Sequence, residues 1–388
     1  MPERDVSGAA VLDVRRAVVA VAALFTCNGL LVGAWGGSLP GLRDTLHLHD
    51  AHVVGLLVTA GVCAVVAMQF SGRLADRHGA RVPSFVGAAI IVAACPVVAS
   101  ARSYPQLLAG AALIGLGNGV MDVAMNALGV RVEQARGRPV MSRFHATFSI
   151  GAFLGAGLVG GIGAVVGAGL AARLPLLVAG SVTVLVLAAV WTRAPRTGPA
   201  PARDDGLGRI PSVAWLLAAM AVCFGLTEGT AVDWSSIHVT DVAHVAASTG
   251  AWGLACVSAL MVVIRLAGDH AVLSLGRRTV VSGGAGVAML GYLLTAFTSA
   301  LPWILLGWCL VGFGVGLLAP QIYALSGHIG GGRTLALVVG FGYAAFLAGP
   351  ALIGTVAVHA DIQRAMLVPL VTALALVLMA PRMPADPG

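Results

Sequence analysis

The chain has 388 residues, of which 58% are hydrophobic and only 10% charged, and its formal net charge is +7. A soluble domain needs about a quarter of its residues charged to cover its surface, so this composition excludes a soluble enzyme or binding module and predicts a chain solvated by lipid. All of the positive charge is arginine, dispersed over many loops, which excludes the clustered basic face of a nucleic-acid-binding protein.

In chain order, apolar runs of the length that crosses a bilayer, about 17 to 25 residues, fall at 17–38, 51–72, 82–100, 105–130, 143–168 and 173–192. Six more follow at 211–236, 246–266, 279–298, 301–325, 334–358 and 364–380. The expected class is therefore an all-α membrane protein with twelve transmembrane helices. The first run follows charges at Glu3, Asp5, Asp13, Arg15 and Arg16 with no small-residue cleavage site after it, so it is read as a retained span and not a signal peptide. Arginine placement sets the orientation. Only Arg43, Arg102, Arg173 and Arg364 fall in loops on the side opposite the N-terminus. The rest, Arg265 among them, are assigned to loops and tails on the N-terminal side. By the positive-inside rule both termini are expected in the cytoplasm, with the protein in the cell membrane. Cys27, Cys63, Cys95, Cys223, Cys256 and Cys309 all lie in spans without metal-site spacing and are read as packing residues.

Residues 193–210, RAPRTGPAPARDDGLGRI, form the one long polar, Pro/Gly-rich stretch between spans. They divide the chain into an N-terminal six-helix bundle (1–192), a cytoplasmic linker (193–210) and a C-terminal six-helix bundle (211–388). The two parts read as a repeat. LIGLGNGV (113–120) aligns with LVGFGVGL (310–317), AFLGAG (152–157) with AFLAGP (345–350), and SGRLADRHGAR (71–81) with IRLAGDHAVLSLGRR (264–278).

The stretch Gly72, Leu74, Ala75, Asp76, Arg77, Gly79, Arg81 resembles the loop signature G-x-L-A-D-R-x-G-R/K-R of the major facilitator superfamily, with Ala80 where a basic residue is usual. Asp269 holds the corresponding place in the second repeat. The resemblance implies two pseudo-repeat six-helix bundles that rock about a central cavity, with these residues in the charge cluster that stabilises one state. A finer resemblance concerns Met121 to Asn126, which is similar to the span-four pattern of the fucose:proton symporter branch and its uncharacterised bacterial relatives. In that branch the carboxylate four positions before an Asn is implicated in proton coupling and sugar contact. The resemblance carries these roles to Asp122 and Asn126.

The residues themselves point the same way. On a helix, steps of four advance about 40° beyond a full turn, so Asn118, Asp122 and Asn126 form one slowly winding stripe. A charged Asp at a helix centre costs about 2.5 to 3.5 kcal/mol against lipid, so the stripe is expected to face the bundle interior or a wet cavity. Spans one, four, seven and ten carry Asn28; Asn118, Asp122 and Asn126; Glu228 and Asp233; and Gln321 and Tyr323. Spans three, six, nine and twelve have no charge or amide in their central turns. A carboxylic acid in a poorly solvated cavity resists ionisation and can exchange a proton near neutral pH. Asp122 is the expected proton carrier, with Glu228 the second candidate. Asn28, Asn118, Asn126, Asp233, Trp234 and Gln321 are the substrate-binding candidates, amides for hydroxyl groups and the indole for the apolar face of a ring. Interhelical packing is the plain alternative for Asn28 and Gln321, and an interfacial position for Trp234. His145 and Gln69 are further polar groups near the cytoplasmic side, without ligand partners at metal spacing.

The expected function is secondary active transport of a small polar, sugar-like solute by a monomer, driven by a proton gradient, with no cofactor and no metal. The rival within transport is a proton-antiporting exporter of drugs or metabolites, and from another class a non-transporting sensor or scaffold. An ATP-driven pump is excluded, because a chain without lysine has no G-x-x-x-x-G-K-[ST] loop. No ligand cluster or nucleophile with its base marks an enzyme.

Overall fold

The computed structural model describes residues 14–137, 140–195 and 210–384. Within these, the side chains at 72, 73, 76–78, 168, 269, 327, 330–333, 336 and 347 lie outside the described residues. Gly72, Asp76, Arg77 and Asp269 of the loop signature are among them.

All regular elements of the described residues are helical. They are α1 (Val14–Thr45), α2 (Asp50–His78), α3 (Arg81–Ala99), α4 (Tyr104–Arg136), α5 (Met141–Gly163), the short α6 (Ala168–Ala171) and α7 (Leu174–Val190). After the linker come α8 (Val213–Val242), the short α9 (Ala247–Gly250), α10 (Trp252–Leu275), α11 (Arg277–Phe297), α12 (Leu301–Val315), α13 (Leu318–His359), the short α14 (Ile362–Ala365) and α15 (Leu367–Met379). They supply twelve stretches long and apolar enough to cross a membrane, and the protein is an integral membrane protein with twelve spans.

Local chemistry sets several helix ends. Prolines in the first turns of α4, α7 and α12 occupy positions where no N–H is needed. The Glu133 carboxylate accepts from Val140 N–H (2.6 Å) and Met141 N–H (2.9 Å), placing a negative charge at the positive start of α5. Gly79 and Gly137 end α2 and α4 with φ of 86° and 66°, a region side chains avoid.

Helices before the linker pack mainly among themselves, α1 on α5, α2 on α4 and α3 on α4. Those after it do the same, α8 on α13, α10 on α12 and α11 on α12. Details repeat between the two parts. A Cβ on Gly115 would lie 2.1 Å from the Ala60 carbonyl, and one on Gly312 would lie 2.2 Å from the Val257 carbonyl; both glycines bring two backbones together. At the start of α3 the Arg81 guanidinium donates to the Trp191 carbonyl and lies 4.4 Å over the Trp191 ring. At the start of α11, Arg278 donates to the Met383 carbonyl. In each part an arginine thus ties the third span to the end of the sixth.

Two regions depart from the sequence reading. Arg265, assigned to a loop, lies inside α10 and is only 7% exposed; the helix runs past the expected boundary at 266 to Leu275. Span ten is interrupted at Gly316 and Leu317 between α12 and α13. α13 then continues helical for 42 residues, yet the Tyr323 hydroxyl lies against Gly342. In a straight helix those residues would be about 28 Å apart, so the segment reverses between them and supplies spans ten and eleven.

The parts preceding and following the linker touch mainly along α5 with α10, α2 with α13 and α1 with α8, with further contacts of α1, α5 and α6 on the short α9 and of α1 on α10. At the end remote from the termini, Val54 packs on Gly354, Gly160 on Trp252 and Gly163 on Ser248. There Arg43 makes a bidentate ion pair with Asp241, one arm at 2.6 Å, and also reaches Asp50 at 3.3 Å and Asp44 at 3.6 Å. The remote end is shut.

Candidate functional site

Halfway along α4, the i, i+4 spacing of Asp122 and Asn126 stacks them on adjacent turns. Asn126 Nδ2 donates to Asp122 Oδ1 at 3.1 Å and to the Asp122 carbonyl at 2.9 Å. Tyr343, from α13 on the other side of the linker, donates through its hydroxyl to Asp122 Oδ2 at 3.1 Å. Asp122 is half-buried and Tyr343 36% exposed. Both carboxylate oxygens accept from neutral donors, and among the described residues no cation pairs with them. That leaves the group able to gain or lose a proton without breaking an ion pair.

Glu228 has a different setting. Its Oε1 accepts from Arg265 Nη2 at 3.2 Å, both side chains being largely buried, while Oε2 is buried with no partner. Arg265 Nε donates to the Gly316 carbonyl at 3.1 Å. The break after α12 frees that carbonyl, and a cation at a helix C-terminus also meets the helix dipole favourably. Arg265 Nη1 reaches across to α5, 2.7 Å from Ser149 Oγ and 3.4 Å from the His145 carbonyl. The pair therefore belongs to one part of the chain and is anchored on the other.

The remaining candidates divide. Asn28 is 1% exposed, with Nδ2 3.8 Å from the sulfur of Met125, beside the Asp122 pair, and its Oδ1 without a partner. Asn118 Oδ1 is likewise buried and unpartnered. Asp233 is half-buried and lies five residues after Glu228, hence about 140° around the helix. The two acids flank a strip in which Gly225 and Gly229 face α13 and Val232 faces α1. Trp234 does not line that strip: it is 1% exposed in the core of the second part, because its position turns it to the face shared with Thr227 and His238. Gln321 accepts from Arg277 Nε at 3.1 Å, which ties it to the start of α11. His145 is half-buried with its ring edge-on to Phe25, and Gln69 is exposed.

Arg265 and Tyr343 are the residues sequence reasoning missed. An arginine inside VVIRLAG, apolar on both sides, was a signal for a buried partner to an intramembrane acid. Nothing in the spacing of FGYAAF (341–346) points from span eleven to span four. The cysteines of the described chain are free thiols, and no group of three or more potential metal ligands occurs among the described residues.

Residues 21–331 match the family model described as Major Facilitator Superfamily. The chain is 33% identical over 355 residues to an uncharacterised transporter, y4wD, of Sinorhizobium fredii, covering 88% of this chain and 92% of that protein. It is 30% identical over 338 residues to an uncharacterised MFS-type transporter of Yersinia pestis, covering 86% and 87%. Among solved structures the fold is similar to that of the nucleoside transporter NupG, with a TM-score of 0.72 at 12% identity over 95% of this chain and 98% of that one. It is also similar to a bacterial homolog of the human lysosomal transporter Spinster in an inward-facing, occupied conformation, with a TM-score of 0.67 at 15% identity, covering 94% and 96%.

Proposed function

The chain belongs to the Major Facilitator Superfamily and is a membrane transporter, not an enzyme, and from that premise we propose that it moves a small polar, sugar-like solute by proton-coupled alternating access. Asp122 is the proton carrier in this reading. The observation that carries it is the pair of neutral hydrogen bonds on Asp122, one of them from Tyr343 across the chain's two parts. A carboxylate so placed can change protonation and interhelical bonding in one event. Glu228, held by Arg265, serves as a fixed charge. The two six-helix units, 1–192 and 211–388, rock about this centre, with residues 193–210 as the cytoplasmic linker. The shut remote end then corresponds to an inward-facing state with both termini in the cytoplasm. The span-four pattern supports a place beside the fucose:proton symporter branch.

The test is purified protein in liposomes with an imposed pH gradient, offered labelled sugars and a cationic dye. Uptake of solute toward the alkaline side together with protons is the expected result. Dye moving against the proton identifies the rival antiporter. In Asp122→Asn, gradient-driven accumulation is lost while solute exchange between compartments persists; a variant that still accumulates solute refutes Asp122 as carrier.

A further inference from the structure

On the outer face of the first part, α3 and α7 run antiparallel, with Phe85 against Trp191 and Cys95 against Gly180, and leave a groove of about 360 Å³ between them. It is lined by Phe85, Ala89 and Ala93, one stripe of α3, and by Val184, Ala188 and Trp191 from α7 and the single 3-10 turn Trp191–Arg193 that follows it. Alanine at 89, 93 and 188 creates the depression. Side chains of the length found at the neighbouring exposed Val86 and Leu185 would fill it. Ala89, Ala93, Val184 and Ala188 are exposed, so the groove opens outward, where the surroundings of a membrane span are lipid.

Its length and position match a single leaflet. From Phe85 to Ala93 the helix rises about 12 Å, close to the roughly 15 Å that is half of a ~30 Å hydrocarbon core. The groove begins at the end of both spans nearer the termini and stops near their middle. Trp191, 43% exposed, stands at the outer end, the depth at which an indole meets lipid headgroups.

Charge at that end has one sign. Arg81 donates to the Trp191 carbonyl and lies 4.4 Å over its ring, Phe85 meets the ring edge-on at 4.6 Å, and the exposed Arg193 follows two residues later. The turn packs on α1, whose first turn carries the exposed Arg15 and Arg16. Residues 81–99 and 174–193 include no acid. An acyl-sized groove that ends at a group of arginines is complementary to a lipid with net negative charge, whereas a zwitterionic lipid brings a cation of its own to them.

We propose that the α3–α7 groove binds an anionic phospholipid of the leaflet on the side of the termini, one acyl chain filling the groove and the phosphate pairing with Arg193 and Arg15. The lipid then ties the first span to the third and sixth.

The test uses full-length protein in detergent, stripped of lipid and titrated with dioleoylphosphatidylglycerol or dioleoylphosphatidylcholine, with bound lipid counted by native mass spectrometry. The acyl chains are identical, so the difference reads the headgroup. The first phosphatidylglycerol is expected to bind about tenfold tighter than phosphatidylcholine, and this preference to fall about fivefold in Arg193→Gln and in Arg15→Gln. Added salt is expected to weaken it. The double variant Ala89→Leu/Ala188→Leu fills the groove at two exposed positions and is expected to lose the tightly bound lipid. Arg382→Gln, exposed at the corresponding end of the twelfth span, is the control and keeps the preference. Equal affinity for the two lipids, a loss in Arg382→Gln as large as in Arg193→Gln, or undiminished binding in the filled variant overturns the proposal.

Discussion

Arg265 is the residue on which most of the central geometry converges. Replacing it with alanine leaves Glu228 buried without a counter-charge, and breaking a buried pair from one side costs about 3 to 5 kcal/mol. Arg265→Ala is therefore expected to lower the thermal unfolding midpoint sharply, and the double variant Arg265→Ala/Glu228→Gln to recover most of the loss. A double variant as unstable as the single one would place the effect in lost packing or in the Ser149 contact. At this scale the sequence was informative where partners share a helix and silent where they do not. Asp122 and Asn126 are four residues apart, so their juxtaposition follows from helix geometry. Tyr343 meets Asp122 only because two distant spans converge, whereas Arg265, flanked by apolar residues, carried a signal but sits at the edge of the apolar run, where a charge reads as a loop boundary.

Among the elements, the α2–α4 and α10–α12 contacts depend on glycines that leave no room for a side chain. In Gly115→Ala and Gly312→Ala the new Cβ meets backbone carbonyls at 2.1 and 2.2 Å, and a carbonyl in a helix cannot swing aside. Both variants are expected to lower Tm and the folded fraction in detergent. Gly286→Ala is the control: a Cβ there meets nothing within 4 Å, and loss of glycine from a helix interior favours the helix by about 0.5 to 1 kcal/mol. Equal behaviour of all three would mean that the close approaches do not limit packing. Spans were legible because crossing a bilayer requires a long apolar run. The repeat was legible because close packing demands glycine at the same place twice. The break at Gly316 and Leu317 was not, since a helix interruption inside an unbroken apolar run leaves hydropathy unchanged.

Across the whole molecule, the two parts are joined at the remote end by apolar packing and by Arg43 with Asp241. Removing that pair favours the alternative arrangement in which the remote end parts. Spin labels on cysteines replacing Ser103 and Ala246, in opposite parts near that end, are expected to report longer distances in Asp241→Asn than in the parent. Unchanged distances would assign closure to the apolar contacts alone. Arg43 also retains Asp44 and Asp50 on its own side of the division. When Asp241 is withdrawn, the guanidinium exchanges one carboxylate for another and is never left naked, so the barrier to parting is that of a change of partner and not of stranding an ion. A fastening of this kind can be undone and remade in every transport cycle.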